Sequence, residues 1–321
     1  MVGPAVKIAE LGWTNEITIY YIVPLVAGKL LGLDEEQMEN AVGISGSFVG
    51  VLEALDDPLE GRNMARDLRF PFPAYQGILG ALMAQEGFTG PSRVFEGRHG
   101  FAEVIARGNI DLERLTQREE DFSILHTGTK RFACFGRMIG SLLATLTLVN
   151  EHDIRPEQVA QVRVTTQPRV LEEGFAGDPE AHRYPQTKQS ADHNLFYATA
   201  VAIVDRAVTP EQFTSEKLQD PRVRELIGKV VLNIDPQLAR FHSAGIVEID
   251  TKGGATYTCR VDNPRGKPEN PMEDVEIEEK FRSMAAKFMD ESQIQEFIAT
   301  VYDLDKLDDI GQLTKTLVFR R

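Results

Sequence analysis

The apolar residues change their spacing twice along this chain, and that change limits its architecture more than any other feature. Up to about residue 125 they recur at helical intervals. From Val159 to Thr166, and again from Ile246 to Val261, they alternate as in half-buried strands. After residue 263 the helical interval returns. A chain patterned in this way is mainly α with one α+β segment. The expected layout is helical over 1–125, α+β over 126–262 and helical over 263–321, the two helical parts joining into one discontinuous domain with the α+β part inserted as a lid.

Local signals place the elements. Ile17–Leu33 is apolar nearly all round and reads as a buried helix, although Pro24, Gly28 and Lys29 interrupt it. Asp34-Glu35-Glu36 then opens a second helix, where the helix dipole favours acid. Ala74–Gln85 is a helix of small residues suited to close packing, ended by Gly87, Gly90 and Pro91. In the middle, Gly136–Glu151 and Ala191–Arg206 read as helices, Val159–Thr166 and Lys229–Ile234 as strands. Arg222–Gly228 is a short helix, and Ile246–Thr251 with Thr256–Val261 forms a hairpin. Asp262–Pro271 reads as a linker, Glu273–Glu279 as a solvated helix start, and Val275–Met289, Gln293–Tyr302 and Asp309–Leu317 as helices.

The formal net charge of −14 disfavours binding to nucleic acid or to an anionic membrane. An anionic substrate would therefore need a local basic pocket. Two cysteines, Cys134 and Cys259, are too few for a disulfide scaffold and fit a reducing compartment. Met1 is followed by Val-Gly-Pro rather than a basic and then apolar run, so the expected location is the cytoplasm. The histidines show no metal-ligand spacing. There is no P-loop, dinucleotide fingerprint or nucleophile elbow.

Four segments in order resemble the MmgE/PrpD family. They are Ala27-Gly28-Lys29-Leu30-Leu31-Gly32-Leu33-Asp34-Glu35-Glu36-Gln37, Leu82 to Phe101 with its GFTGP and EG elements, Ser190 to Ala200 (SADHNLFYATA), and Glu278-Glu279-Lys280-Phe281. The resemblance implies an all-helical domain built from both chain ends plus an α+β lid. It also implies a homodimer and a reaction on a small polycarboxylate without cofactor or metal. The family's activities are dehydration, decarboxylation and epimerisation. The first expectation is a hydro-lyase resembling 2-methylcitrate dehydratase; an epimerase or decarboxylase of a related acid, and a non-catalytic homologue or accessory subunit, are the alternatives. The family also has a further N-terminal helical segment that supplies Asp and His to the site, which a separate chain could contribute here.

Elimination beside a carboxylate needs a base, an acid and cations that hold the carboxylates. Lys130, in Thr129-Lys130-Arg131-Phe132-Ala133, matches a substrate-facing lysine of the family; by residue type alone it could equally be a solvated surface lysine. Ala133 stands where the family has proline, and Phe135 where its decarboxylase branch has histidine, which argues against a simple decarboxylase. Arg66 falls on an active-site lysine position and Arg69 on one that is histidine in some members. Arginine can grip a carboxylate but cannot shuttle protons. Asn15 replaces the histidine of a Gly-Trp-Asp-His-like segment and is either a substrate hydrogen-bonder or a helix N-cap. Asp192 and His193 match the family's Ala-Asp-His; Asp192 could instead cap the following helix, whereas His193 can titrate near neutral pH. His126, four residues before Lys130, is the remaining candidate for the same cleft.

Overall fold

The computed structural model describes residues 8–59, 61–115 and 122–319. A 3-10 turn at Asn15–Thr18 leads into α1 (Ile19–Leu31), which Gly32 ends at φ 71°. α2 (Glu35–Gly46) begins with a capping box in which Asp34 accepts from the Gln37 amide and Gln37 accepts from the Asp34 amide. α3 (Pro71–Gln85) starts earlier than its apolar spacing suggests, because prolines suit a first helical turn. It packs on α1 so tightly that a Cβ at Gly77 would lie 2.8 Å from Val23 Cβ. A short α4 (Phe101–Val104) adds Phe101 to a core of Ile8, Ile17, Tyr20 and Tyr21. Ile8 thus packs into this core.

The first helix corrects another expectation. Only one side of α1 is buried: Ile22 is 50 % exposed and Leu30 80 %, and on α3 Phe72 is 62 % and Tyr75 68 % exposed. An apolar helix is buried only where a neighbour covers it. α2 and α3 pack on α1, and Phe95 and Phe101 cover Tyr21.

The middle segment has a deeper core. α5 (Ile139–Glu151) follows a 3-10 turn at Gly136–Met138. β1 forms at Val159–Thr166 as expected, and α6 (Pro168–Phe175) and α7 (Lys188–Ala191) follow. α8 (Leu195–Asp205) is buried along almost its whole length; α9 (Ser215–Leu218) and α10 (Pro221–Ile227) lead into β2 (Val230–Ile234). The hairpin is β3 (Gly245–Thr251) and β4 (Thr256–Val261). The sheet order is β2-β1-β3-β4, with β1 parallel to β2 and the other pairs antiparallel. Inward positions such as Val162, Val164, Val247 and Ile249 meet Leu142, Leu148 and Phe196 in one core. α5 can lie on β3 because Gly140 and Gly245 lack side chains: a Cβ at Gly245 would sit 2.6 Å from the Ser141 amide nitrogen.

After the sheet come α11 (Asp274–Ala285), α12 (Glu291–Tyr302) and α13 (Gly311–Thr316), with a small apolar cluster of their own at Ala285, Met289 and Ile294. The acidic start of α11 is more than a solvated face. Glu276 accepts from Arg131 at 2.7 Å and from Arg265 at 2.8 Å. No described helix is long and apolar enough to cross a membrane.

Candidate functional site

Two groups of charged side chains meet around Phe135 and Gly136, where the chain enters α5. The first is an arginine cluster. The turn at Met64–Leu68 and the residue after it carry Arg66 and Arg69. Asp56 accepts hydrogen bonds from Arg66 and Arg69 and, at 3.3 Å, from Arg62. Burial alone would raise the Asp56 carboxyl, but the Arg66 hydrogen bond and the three arginine charges hold it far below the usual carboxylate range. Glu16 takes Arg69 at 3.1 Å. Arg62 also donates to the Glu173 and Gly174 carbonyls, which ties this cluster to α6. Glu53 borders it, and its carboxyl is pushed up to about 7 by burial and by Asp56 and Glu16.

His193 lies on the edge of this cluster, 9 % exposed. Its Nδ1 bonds to Asp192 Oδ1, and its Nε2 lies 3.0 Å from Arg66 Nη2. A guanidinium only donates, so Nε2 must accept and Nδ1 must carry the proton. Burial lowers the imidazole pKa against the pull of Asp192, and Arg62 and Arg66 lower it further. His193 is therefore a neutral, oriented imidazole whose free lone pair is held by Arg66. Its ring stacks on Phe135 at 5.1 Å between centroids, and the Phe135 amide donates to the Asp192 carbonyl at 2.8 Å.

The second group lies on the other side of Gly136. A Cβ on Gly136 would be 3.7 Å from Lys130 Cε and 4.0 Å from His242 Cε1. His242 Nδ1 is 3.0 Å from Lys267 Nζ, and Lys280 Nζ donates to the Lys130 carbonyl. Burial lowers the pKa of both Lys267 and Lys280; Arg137 and then Lys130 lower Lys267 further against Glu269, and Lys130 lowers Lys280 further.

The expected residues fare unequally. Arg66 and Arg69 meet on Asp56, and Arg66 reaches His193, which Asp192 holds; Lys130 is exposed and lies beside Gly136. Asp192 does not cap α8: it follows α7, and Asn194 accepts from the Tyr197 amide instead. That helix therefore starts at Leu195 rather than Ala191. Asn15 is exposed and is not the N-cap, since Thr14 precedes the turn and Asn15 is its first residue. Its neighbour Glu16 reaches Arg69 instead. His126 ends an exposed 3-10 turn and bonds to none of these residues among the described ones. Sequence reasoning passed over Asp56, Glu16, Glu53 and Arg62. It also took Lys267 as linker, quoted Lys280 only within a family motif and found no ligand spacing at His242. Two depressions of about 470 and 700 Å³ lie elsewhere, along α1, α2 and residues 92–112, and contain none of the candidates.

Residues 2–113 match the MmgE/PrpD N-terminal domain and residues 132–306 the MmgE/PrpD C-terminal domain. Cis-aconitate decarboxylase of Aspergillus terreus is 29 % identical over 311 residues, covering 91 % of this chain and 62 % of that protein. The cis-aconitate decarboxylases of Homo sapiens and Mus musculus are 26 % and 24 % identical over 298 residues, covering 91 % of this chain and 60 % and 59 % of theirs. The chain thus spans about 60 % of the length of these relatives. With both domains matched in order over most of its length, this chain belongs to the MmgE/PrpD family.

Proposed function

We propose that the chain is a lyase of small polycarboxylates, and that it removes CO2 from an unsaturated tricarboxylate of the cis-aconitate kind. The observation that carries this reading is the junction at Phe135 and Gly136, with an oriented imidazole on one side and ammonium groups on the other. The names of the similar proteins favour decarboxylation over the dehydration that the sequence motifs alone suggested.

In such a step the bond to the departing carboxylate breaks and CO2 leaves. The electron pair stays on the carbon chain and delocalises towards a remaining carboxylate. Cations fixed beside that carboxylate stabilise the charge as it develops. We assign Lys130 to hold the carboxylate and to return a proton to the carbon. Arg66 would exchange His193 for a second carboxylate and so free Nε2.

One observation favours a second reading. A neutral His193 with Nε2 as acceptor is a base, which suits proton abstraction and loss of water. Proton NMR of the purified chain with cis-aconitate, 2-methylcitrate or citrate separates the two. Conversion of cis-aconitate to a five-carbon dicarboxylate, reduced at least about 100-fold in Lys130→Ala, supports decarboxylation. Loss of water from 2-methylcitrate, abolished by His193→Gln, moves the chain to the hydro-lyases. A folded sample that leaves all three acids unchanged overturns both and leaves a non-catalytic binding role.

A further inference from the structure

We propose that Lys267 and His242, together with Lys130 across the space beside Gly136, form the subsite for a carboxylate of the substrate other than the one assigned to Arg66. The inference rests on the polycarboxylate reading above and adds residues to it.

The backbone brings the lysines together. The Thr129 amide donates to the Gly266 carbonyl at 2.7 Å. Gly266 has φ +104°, and a Cβ there would lie 2.1 Å from the Thr129 carbonyl oxygen. From the other strand of this clasp, a Cβ at Gly128 would lie 2.6 Å from the Gly266 oxygen. Only glycines permit this approach. Lys130 and Lys267 each follow directly on the clasped residues, Thr129 and Gly266. Arg131 and Lys280 fasten the same segment to α11 through Glu276 and the Lys130 carbonyl.

The charges that result are not neutralised in place. Among the described residues none of Lys130, Lys267 and Lys280 pairs with a carboxylate. Burial lowers the Lys267 pKa, Glu269 opposes that, and Arg137 and Lys130 lower it further. Burial also lowers His242, followed by Lys267, Arg137 and Arg169, with Glu173 opposing. Glu173 itself pairs with Arg137 at 2.9 Å. Like charges held together relieve their repulsion when an anion enters.

The donors are also directed. An ammonium only donates, so His242 Nδ1 accepts from Lys267 and the ring proton must sit on Nε2. A neutral His242 thus keeps one N–H for a ligand. The space between Lys130 and His242 is the space a methyl group on Gly136 would take, at ordinary contact distances.

Calorimetric titration with tricarballylate, a saturated tricarboxylate that cannot react, tests the subsite without relying on turnover. Acetate and inorganic phosphate at matched ionic strength are the comparison ligands. The wild type is expected to bind tricarballylate much more tightly than acetate. Lys267→Met and Gly136→Ala are each expected to weaken that binding about tenfold, the scale of one charge-assisted hydrogen bond, with unfolding midpoints unchanged. Lys267→Arg is expected to restore most of it. No measurable binding by the wild type, or wild-type affinity in both Lys267→Met and Gly136→Ala, overturns the subsite. Phosphate binding as tight as tricarballylate, with the same dependence on Lys267, overturns its assignment to carboxylates. Lys267-dependent binding without turnover of any acid keeps the subsite and removes the reaction. Turnover whose KM is unmoved by Lys267→Met does the reverse.

Discussion

The arginine cluster and the lysine cluster lie on opposite sides of the same two residues, yet they manage charge in opposite ways. Arg62, Arg66 and Arg69 are only 4, 11 and 18 % exposed, and Asp56 sits among all three, with Glu16 on the third. Their charge is cancelled within the fold. Lys130, Lys267 and Lys280 are held side by side without carboxylate partners, by a backbone clasp and a helix. A cationic side chain can therefore be neutralised inside the fold or left open to a ligand. What separates them is the presence of an acid within reach.

The strongest way to break this comparison is to remove the acid. Asp56→Ala would leave three mostly buried arginines sharing one lost partner, and is expected to cost about 3–5 kcal/mol, read as a lower urea midpoint with unchanged slope. A loss below about 1 kcal/mol would mean that the arginines are held by something else. A smaller effect concerns Glu53, where the arginine cluster carries acid in excess. Its folded pKa, raised to about 7, lies above the unfolded value. That contribution is present below the unfolded pKa and is lost as pH rises towards 7. Glu53→Gln is therefore expected to be more stable than wild type at pH 8 by about 1–2 kcal/mol and to flatten the pH dependence between 5 and 7. Equal pH profiles for the two proteins would remove the excess-acid account. The smallest effect belongs to the lysines. Lys267→Met relieves repulsion instead of exposing an unpaired charge, and is expected to change stability by no more than about 0.5 kcal/mol, in the stabilising direction, at low salt. A marked destabilisation would show that Lys267 supports the loop rather than a ligand.

How much of this could be read from the sequence depends on the range of each interaction. β1 forms within its expected bounds, and the Asp34 start of α2 and the β3–β4 hairpin form where local pattern places them. These are decided by neighbours a few residues apart. The parallel pairing of β1 with β2 was not visible, since Val162 and Val230 meet only after five helices, α6 to α10, have been laid down between them. The same limit governs the site. Arg66 and Lys130 stood out by resemblance, but nothing local to Asp56 signals that three arginines would gather on it. Lys267 looked like linker. Its meeting with His242, 25 residues earlier, depends on the Gly266 clasp and not on any repeat. Asn15 shows the opposite error: the segment was recognised, but the chain direction there sends the neighbouring Glu16 inward.

The clasp between Thr129 and Gly266 has a consequence for how such a site can diversify. It fixes where residue 267 stands by using only main-chain atoms and the absence of a side chain at 128 and 266. The clasp itself uses no atom of the side chain at 267, which reaches away to His242. Its charge can be removed or reversed while the frame stays as it is, whereas a substitution at Gly266 disturbs the frame itself. A descendant of this chain could thus change the acid it prefers by one substitution at 267 without having to refold around it.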